Sequence, residues 1–199
     1  MPTILFASSK GGVSKSTSAV ILGSQLASHG ASVTIIDADP NHPVEAWAKR
    51  PGKPDSLTVL SNVSETSIID DIEAAAQRTA FVIVDVEGTA SMTVAYAISR
   101  ADLVIIPVQG SQLDAAEAAK AIRLIRQQER AFGRRIPYAV LLTRTSSAIR
   151  PRTLQHIRNE LVEAGVPILE TQMHEREAFR AIFSFGGTVE TLRADQVGG

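Results

Sequence analysis

The chain contains no cysteine. That excludes disulfides, thiolate nucleophiles and cysteine-ligated metal or iron–sulfur centres, and it fits a reducing compartment. Aromatic residues are scarce, 5% of the chain with one tryptophan. No apolar run reaches the roughly 18 residues that a membrane-crossing helix requires. Charge is nearly balanced, 20 Lys and Arg against 21 Asp and Glu, so the total carries no signal for a polyanionic partner. The four histidines, His29, His42, His156 and His174, show neither metal-ligand spacing nor a Ser/Asp partner pattern. The first strand-like run begins at Thr3, which leaves no room for a signal peptide ahead of it.

What is present is enough apolar material for one core. At 199 residues and 44% apolar content, the chain reads as a single globular domain over 1–199. Apolar runs too continuous to alternate lie at 3–7, 33–37, 81–84, 103–106 and 139–142, with a shorter one at 166–169 containing Pro167. Such runs predict parallel strands buried on both faces. Helical stretches fall between them at 18–29, 67–78, 91–100, 113–131, 153–164 and 175–183, and Gly30, Gly133 and Gly165 stand where C-caps would. Strands alternating with helices predict a doubly wound α/β fold, a mostly parallel sheet with helices on both faces. Pro51-Gly52-Lys53-Pro54 reads as a loop within the domain, Trp47 as a core anchor on a short helix, and residues 197–199 as a frayed end.

Residues 8–17, Ser-Ser-Lys-Gly-Gly-Val-Ser-Lys-Ser-Thr, join the first strand to the first helix. A Gly- and Ser-rich turn at a helix N-terminus collects backbone N–H groups where the dipole favours an anion. Lys15 supplies an ammonium for β/γ-phosphates and Ser16 a hydroxyl for Mg²⁺. Ser9 and Ser14 occupy both glycine positions of the general phosphate-loop pattern, leaving the narrower form Lys-Gly-Gly-x-x-Lys-Ser. If residue 14 needs φ > 0, serine is strained there.

Ligands of open parallel sheets bind beyond the carboxyl ends of the strands. The second run ends in Asp37-Ala38-Asp39-Pro40 and the third in Asp85-Val86-Glu87-Gly88. An apolar strand ending in aspartate is a Walker B arrangement, whose carboxylate holds Mg²⁺. Glu87 reads as a solvated loop acid.

The Lys-Gly-Gly-x-x-Lys-Ser loop, Asp37-Ala38-Asp39-Pro40, and the stretch from Asp102 to Gln109 with Gln112-Leu113-Asp114 resemble the ParA/MinD family of deviant phosphate-loop ATPases, in particular small ParA-type DNA partition proteins. The resemblance implies ATP and Mg²⁺ as ligands. The nucleotide would be held by Lys10, Gly11, Gly12, Val13, Ser14, Lys15, Ser16 and Thr17, with Thr143 and Arg144 near the adenine. The metal site would comprise Ser16, Asp37, Asp39 and Asp85. Asp39 would orient the attacking water, and Lys10 would reach across a dimer interface to stabilise transition-state charge in trans. The resemblance further implies ATP-driven homodimerisation, non-specific DNA binding, slow hydrolysis stimulated by a ParB-like centromere-binding partner, and a cytoplasmic protein that joins the nucleoid when ATP-bound. No helix-turn-helix precedes the loop, and the C-terminus offers no basic amphipathic membrane anchor.

The segment Met173 to Phe179 is also similar to ParA-like accessory proteins of conjugative transfer. Alternative roles are therefore positioning of another cargo, or a DNA-binding scaffold that holds nucleotide weakly. Arginines concentrate in the last third; Arg150, Arg152, Arg158 and Arg180 would form a phosphate-binding stripe if they share one surface.

Overall fold

A computed structural model describes residues 1–88, 91–148 and 151–197, with the backbone alone for 112–114. Its sheet is entirely parallel, in the order β3-β2-β4-β1-β5-β6-β7. The strands are β1 (Thr3–Phe6), β2 (Val33–Ala38), β3 (Leu57–Leu60), β4 (Phe81–Val86), β5 (Leu103–Val108), β6 (Tyr138–Thr145) and β7 (Met173–His174).

Each strand-forming run is continuous in apolar residues because both faces of the sheet are covered. Leu5 and Ala7 face a core shared with Ile36 and Val84, under α3 (Ile68–Arg78), α4 (Met92–Arg100), α5 (Gln112–Phe132) and α6 (Arg152–Glu163). Phe6 and Ile35, one residue out of phase, join Ile83 and Ile105 in a second core. That core lies under α1 (Lys15–Ser28), α2 (Pro43–Ala48) and α7 (Glu177–Phe185), with a short α8 (Ala194–Val197) at the end. Helix α1 sits close to the sheet because Gly23 has no side chain: a Cβ there would meet Ile35 Cδ1 at 2.7 Å. Trp47 is buried in the second core and its indole donates to Gly187 O at 2.9 Å, which ties α2 to the chain after α7.

Two strands depart from the sequence expectation. The edge strand β3 alternates in exposure, with only Leu57 fully buried, so it lacks the continuous apolar signal. The segment 166–169 makes a single bridge, Ile168 to Val140. Pro167 accepts from Val140 N but has no N–H to extend the ladder, and the chain rejoins β6 only at Met173. Of the end expected to fray, 197–199, Val197 is the last residue of the short helix α8 and 198–199 lie outside the described residues.

From β1 the chain passes left to β2 and β3, returns to β4 beside β1, then crosses to β5 and continues rightward. The crevice at the end of β1 and β5 is thus the topological switch point, and the glycine-rich loop occupies it.

Candidate functional site

The loop leaves β1 and enters α1 through two left-handed residues, Gly12 at φ 75° and Ser14 at φ 72°, ψ 29°. Glycine adopts that conformation at no steric cost; serine does not, so the strain foreseen at residue 14 is real. Ser14 offers no side-chain cap to α1; its carbonyl accepts from Ser18 N at 2.9 Å and Ser18 Oγ at 2.7 Å. No acidic side chain stands in the first turn of α1 itself, where the helix dipole favours an anion.

Distant residues fix the loop. Val13 is buried, and its carbonyl accepts from Thr143 Oγ1 at 3.1 Å. Gln109 at the end of β5 donates through Nε2 to Gly12 O at 2.9 Å. Ser9 Oγ donates to the main-chain oxygen of Glu117 at 3.2 Å and to its carboxylate, which also takes Lys120 Nζ at 2.6 Å. These contacts hold the Glu117 carboxyl below its usual range, led by Lys120 and then Ser9. Lys15 Nζ donates to Lys10 O at 3.3 Å, closing the loop on itself.

A cleft of about 420 Å³ opens over the loop, lined by Gly11, Gly12, Ser14, Lys15, Ser16, Thr17, Asp39, Asn41, Glu87, Gly88 and Arg144 together with Ser9. A Cβ at Gly11 or Gly12 would meet no atom within 4 Å, so the floor of this cleft is bare backbone. Asp39 is half-buried and organised by Asn41, whose N and Nδ2 donate to its Oδ1 at 2.9 and 3.0 Å.

Beneath the cleft, Asp37 and Asp85 are register partners on β2 and β4, and both are completely buried. Asp37 accepts from Glu45 N at 2.8 Å and Asp39 N at 3.4 Å. Burial nonetheless raises its pKa. Among the described residues neither oxygen of Asp85 has a hydrogen-bond partner; Ser16 lies beside the carboxylate without reaching it in ordinary geometry. Burial, then the neighbouring charges of Asp37 and Asp39, push Asp85 up to about 7 against the opposing pull of Ser16 and Lys15. A buried, unpaired carboxylate is costly by itself and is the group a cation would satisfy. Among the described residues no three His, Asp or Glu side chains converge as a metal cage. The donor set of Ser16 and Asp85 therefore fits Mg²⁺, which usually takes one or two protein oxygens and completes its shell with phosphate and water.

The structure gathers most of the expected residues: Gly11, Gly12, Ser14 to Thr17, Asp39 and Arg144 on one cleft, with Asp37 and Asp85 below. Two expectations need correction. Thr143 is fully buried under the loop, so it supports Val13 and does not face a ligand. Arg180 does not join the α6 arginines: α7 packs on the opposite face of the sheet, and its guanidinium is held by Glu175 and by Glu177 at 3.2 Å. Arg152 and Arg158 are exposed on α6. Arg150 lies outside the described residues. Glu87, read as a solvated loop acid, is exposed yet lines the cleft. Asn41 and Glu117 carry no signal in the sequence beyond the position of Asn41 after a strand end, and Gln109 is marked only as the end of the family-like stretch from Asp102. Arg144, itself at φ 51°, also borders a small recess with Met173, Arg176 and Phe179 beside Thr17.

Comparison with known proteins agrees with this architecture. The family described as VirC1 protein matches residues 1–194. Protein ParA of Rhizobium radiobacter is 44% identical over 196 residues, covering 98% of this chain and 88% of that protein. Among solved structures, Cyanothece McdA without nucleotide superposes with a TM-score of 0.83 at 16% identity, over 99% of this chain and 95% of McdA. MinD from Aquifex aeolicus gives 0.75 at 19% identity, over 99% and 93%. Fold and loop together make this a protein of the ParA/MinD phosphate-loop class. Within that class, the chain belongs to the VirC1 family.

Proposed function

We propose that this chain is an ATPase of the ParA type that dimerises on ATP, binds DNA without sequence preference and moves a DNA cargo with a ParB-like partner. The observation that carries the reading is the orphaned Asp85 carboxylate directly beneath Lys15 and Ser16. ParA of Rhizobium radiobacter is the relative that supports partition, and McdA, solved as an ATP complex with a TM-score of 0.77 at 16% identity, has the same fold.

In this reading the backbone N–H groups of residues 11–17 cradle the phosphates at the α1 N-terminus. Lys15, which donates to Lys10 O here, would pair the β/γ-phosphates, and Ser16 Oγ with Asp85 would hold Mg²⁺. Mg²⁺ held there would supply positive charge to the phosphates. Asp39, presented at the cleft wall, orients the attacking water, and Asp37 serves by fixing the turn that carries it. Lys10 acts across the dimer interface on the partner's nucleotide. Arg152 and Arg158 on α6 contact DNA phosphates, and the ATP-bound form is the one that joins the nucleoid.

Two observations favour other readings. The segment Met173 to Phe179 is compatible with a ParA-like ATPase serving a transfer or positioning complex. The left-handed Ser14 would suit a scaffold that binds nucleotide weakly. ATP turnover measured with and without DNA, alongside light scattering with a non-hydrolysable analogue, tests the proposal. Dimers that form only with the analogue and disappear in Lys10→Ala support it; nucleotide binding without dimers or turnover favours the scaffold.

A further inference from the structure

The register of β2 with β4 pairs Asp37 with Asp85 and then Ala38 with Val86. One residue further along each chain stand Asp39 and Glu87. The two strands thus carry their acids in two rows, a fully buried pair and a second pair above it at the carboxyl edge of the sheet. Both upper acids line the cleft over the phosphate loop, in company with Lys15 and Ser16. Neighbouring strands run about 4.8 Å apart, which sets the scale of the gap between them.

The upper acids differ in what they have left to offer. Asp39 Oδ1 accepts twice from Asn41, so its other oxygen is the open acceptor. Glu87 is exposed and makes no hydrogen bond or ion pair among the described residues. Its backbone position is nevertheless set. A Cβ at Gly88 would stand 3.3 Å from Ser9 O, so the chain leaving β4 runs against the phosphate loop just ahead of Lys10. A carboxylate in that place opposes the binding of an anion, and lowers a barrier only through what it accepts.

Water that attacks phosphorus must aim a lone pair at it, which turns both O–H bonds away. One acceptor leaves such a water free to rotate. Two carboxylates about 5 Å apart can each take one hydrogen at ordinary hydrogen-bond length.

We propose that Glu87 is a second catalytic residue of the ATPase, accepting one hydrogen of the attacking water while Asp39 accepts the other. The water oxygen bonds to the γ-phosphorus as the bond to the bridging oxygen breaks, and that electron pair passes to ADP. Both hydrogens leave on the product as dihydrogen phosphate; Glu87 accepts a hydrogen bond and takes no proton. The assignment rests on the ATPase reading above and adds to it a residue and a role.

Single-turnover hydrolysis and the affinity of a non-hydrolysable ATP analogue are measured for wild type, Glu87→Gln and Glu87→Ala. Trapping of ADP with aluminium fluoride, which mimics the transferring group with a water in line, is the readout that needs no turnover. Glu87→Ala should slow hydrolysis about 10- to 100-fold, the loss of one charge-assisted hydrogen bond made in the transition state. Glu87→Gln, which keeps an acceptor oxygen without its charge, should fall between that and wild type. Both should trap aluminium fluoride less well, yet bind the analogue at least as tightly as wild type, because a negative charge beside the phosphates is gone. Asp39→Ala with Glu87→Ala should be little slower than Asp39→Ala alone, since the two acids hold the same water. Unchanged hydrolysis and trapping in Glu87→Ala would overturn the assignment and leave the ATPase reading standing. Weaker analogue binding in both variants would also overturn it, making Glu87 a cation-holding group. A wild type that neither hydrolyses ATP nor traps the mimic would end both readings.

Discussion

At the end of β2, Asp37 accepts from the backbone N–H groups of Asp39 and Glu45; at the end of β4, Asp85 is equally buried and, among the described residues, accepts no hydrogen bond of ordinary geometry. The two residues are register neighbours in the same sheet. One acid builds the turn that presents Asp39 and starts α2. The other is held without a partner at a cost to the fold, which is the mark of a group waiting on something the chain itself does not supply. Residue type and strand position are shared, so the difference in role lies wholly in what the neighbouring backbone offers.

The largest test of that contrast removes what Asp85 is meant to serve. Lys15→Ala deletes the ammonium above it and should weaken ATP binding by more than about 100-fold, measured by titration of a fluorescent analogue. Unaltered affinity would leave the unpaired Asp85 unexplained. Next in size, Asp39→Ala should leave ATP binding within a few-fold of wild type while lowering turnover by about 100-fold, the lower range for a group that manages the reacting water. Normal turnover would move that role to Glu87, which shares the cleft.

A third prediction concerns pH. Because the folded Asp85 titrates near 7 instead of 3.8, the ligand-free native state holds a proton that the unfolded chain releases. Stability should therefore fall as pH rises from about 4 to about 7, and the smaller upward shift of Asp37 acts with the same sign. Denaturant unfolding across that range should flatten in Asp85→Asn. A profile that stays as steep would mean another group is responsible. Smallest is Ser14→Gly, which relieves a left-handed serine and should stabilise the protein by up to about 1 kcal/mol. It should also tighten nucleotide binding, and a loss of stability would show that Ser14 is compensated by its surroundings.

Much of this is legible in the sequence. Strands β1, β2, β4, β5 and β6 announce themselves because burial on both faces demands unbroken apolar runs. The phosphate loop is legible because its chemistry is local: glycine, lysine and hydroxyl act within a few residues of one another. Strand β3 was not legible, since an edge strand needs only one well-buried side chain, nor was β7, which is two residues long. The supports of the loop were hidden for a different reason. Ser9 meets Glu117 across 108 residues and Gly12 meets Gln109 across 97, and such pairings have no periodic signature. The distinction between Asp37 and Asp85 was equally invisible, because both end apolar strands and only the turn after β2 donates N–H groups back to its acid.

The most direct measurement is the affinity of a non-hydrolysable ATP analogue as a function of Mg²⁺, in wild type and in Asp85→Asn, with the ligand-free melting midpoint of each recorded above pH 7. If Asp85 is kept unpaired for a nucleotide-bound cation, the wild type binds the analogue more tightly as Mg²⁺ is added. The variant loses most of that dependence while melting at a higher temperature without ligand. An Asp85→Asn protein that keeps the wild-type response to Mg²⁺ would contradict the account.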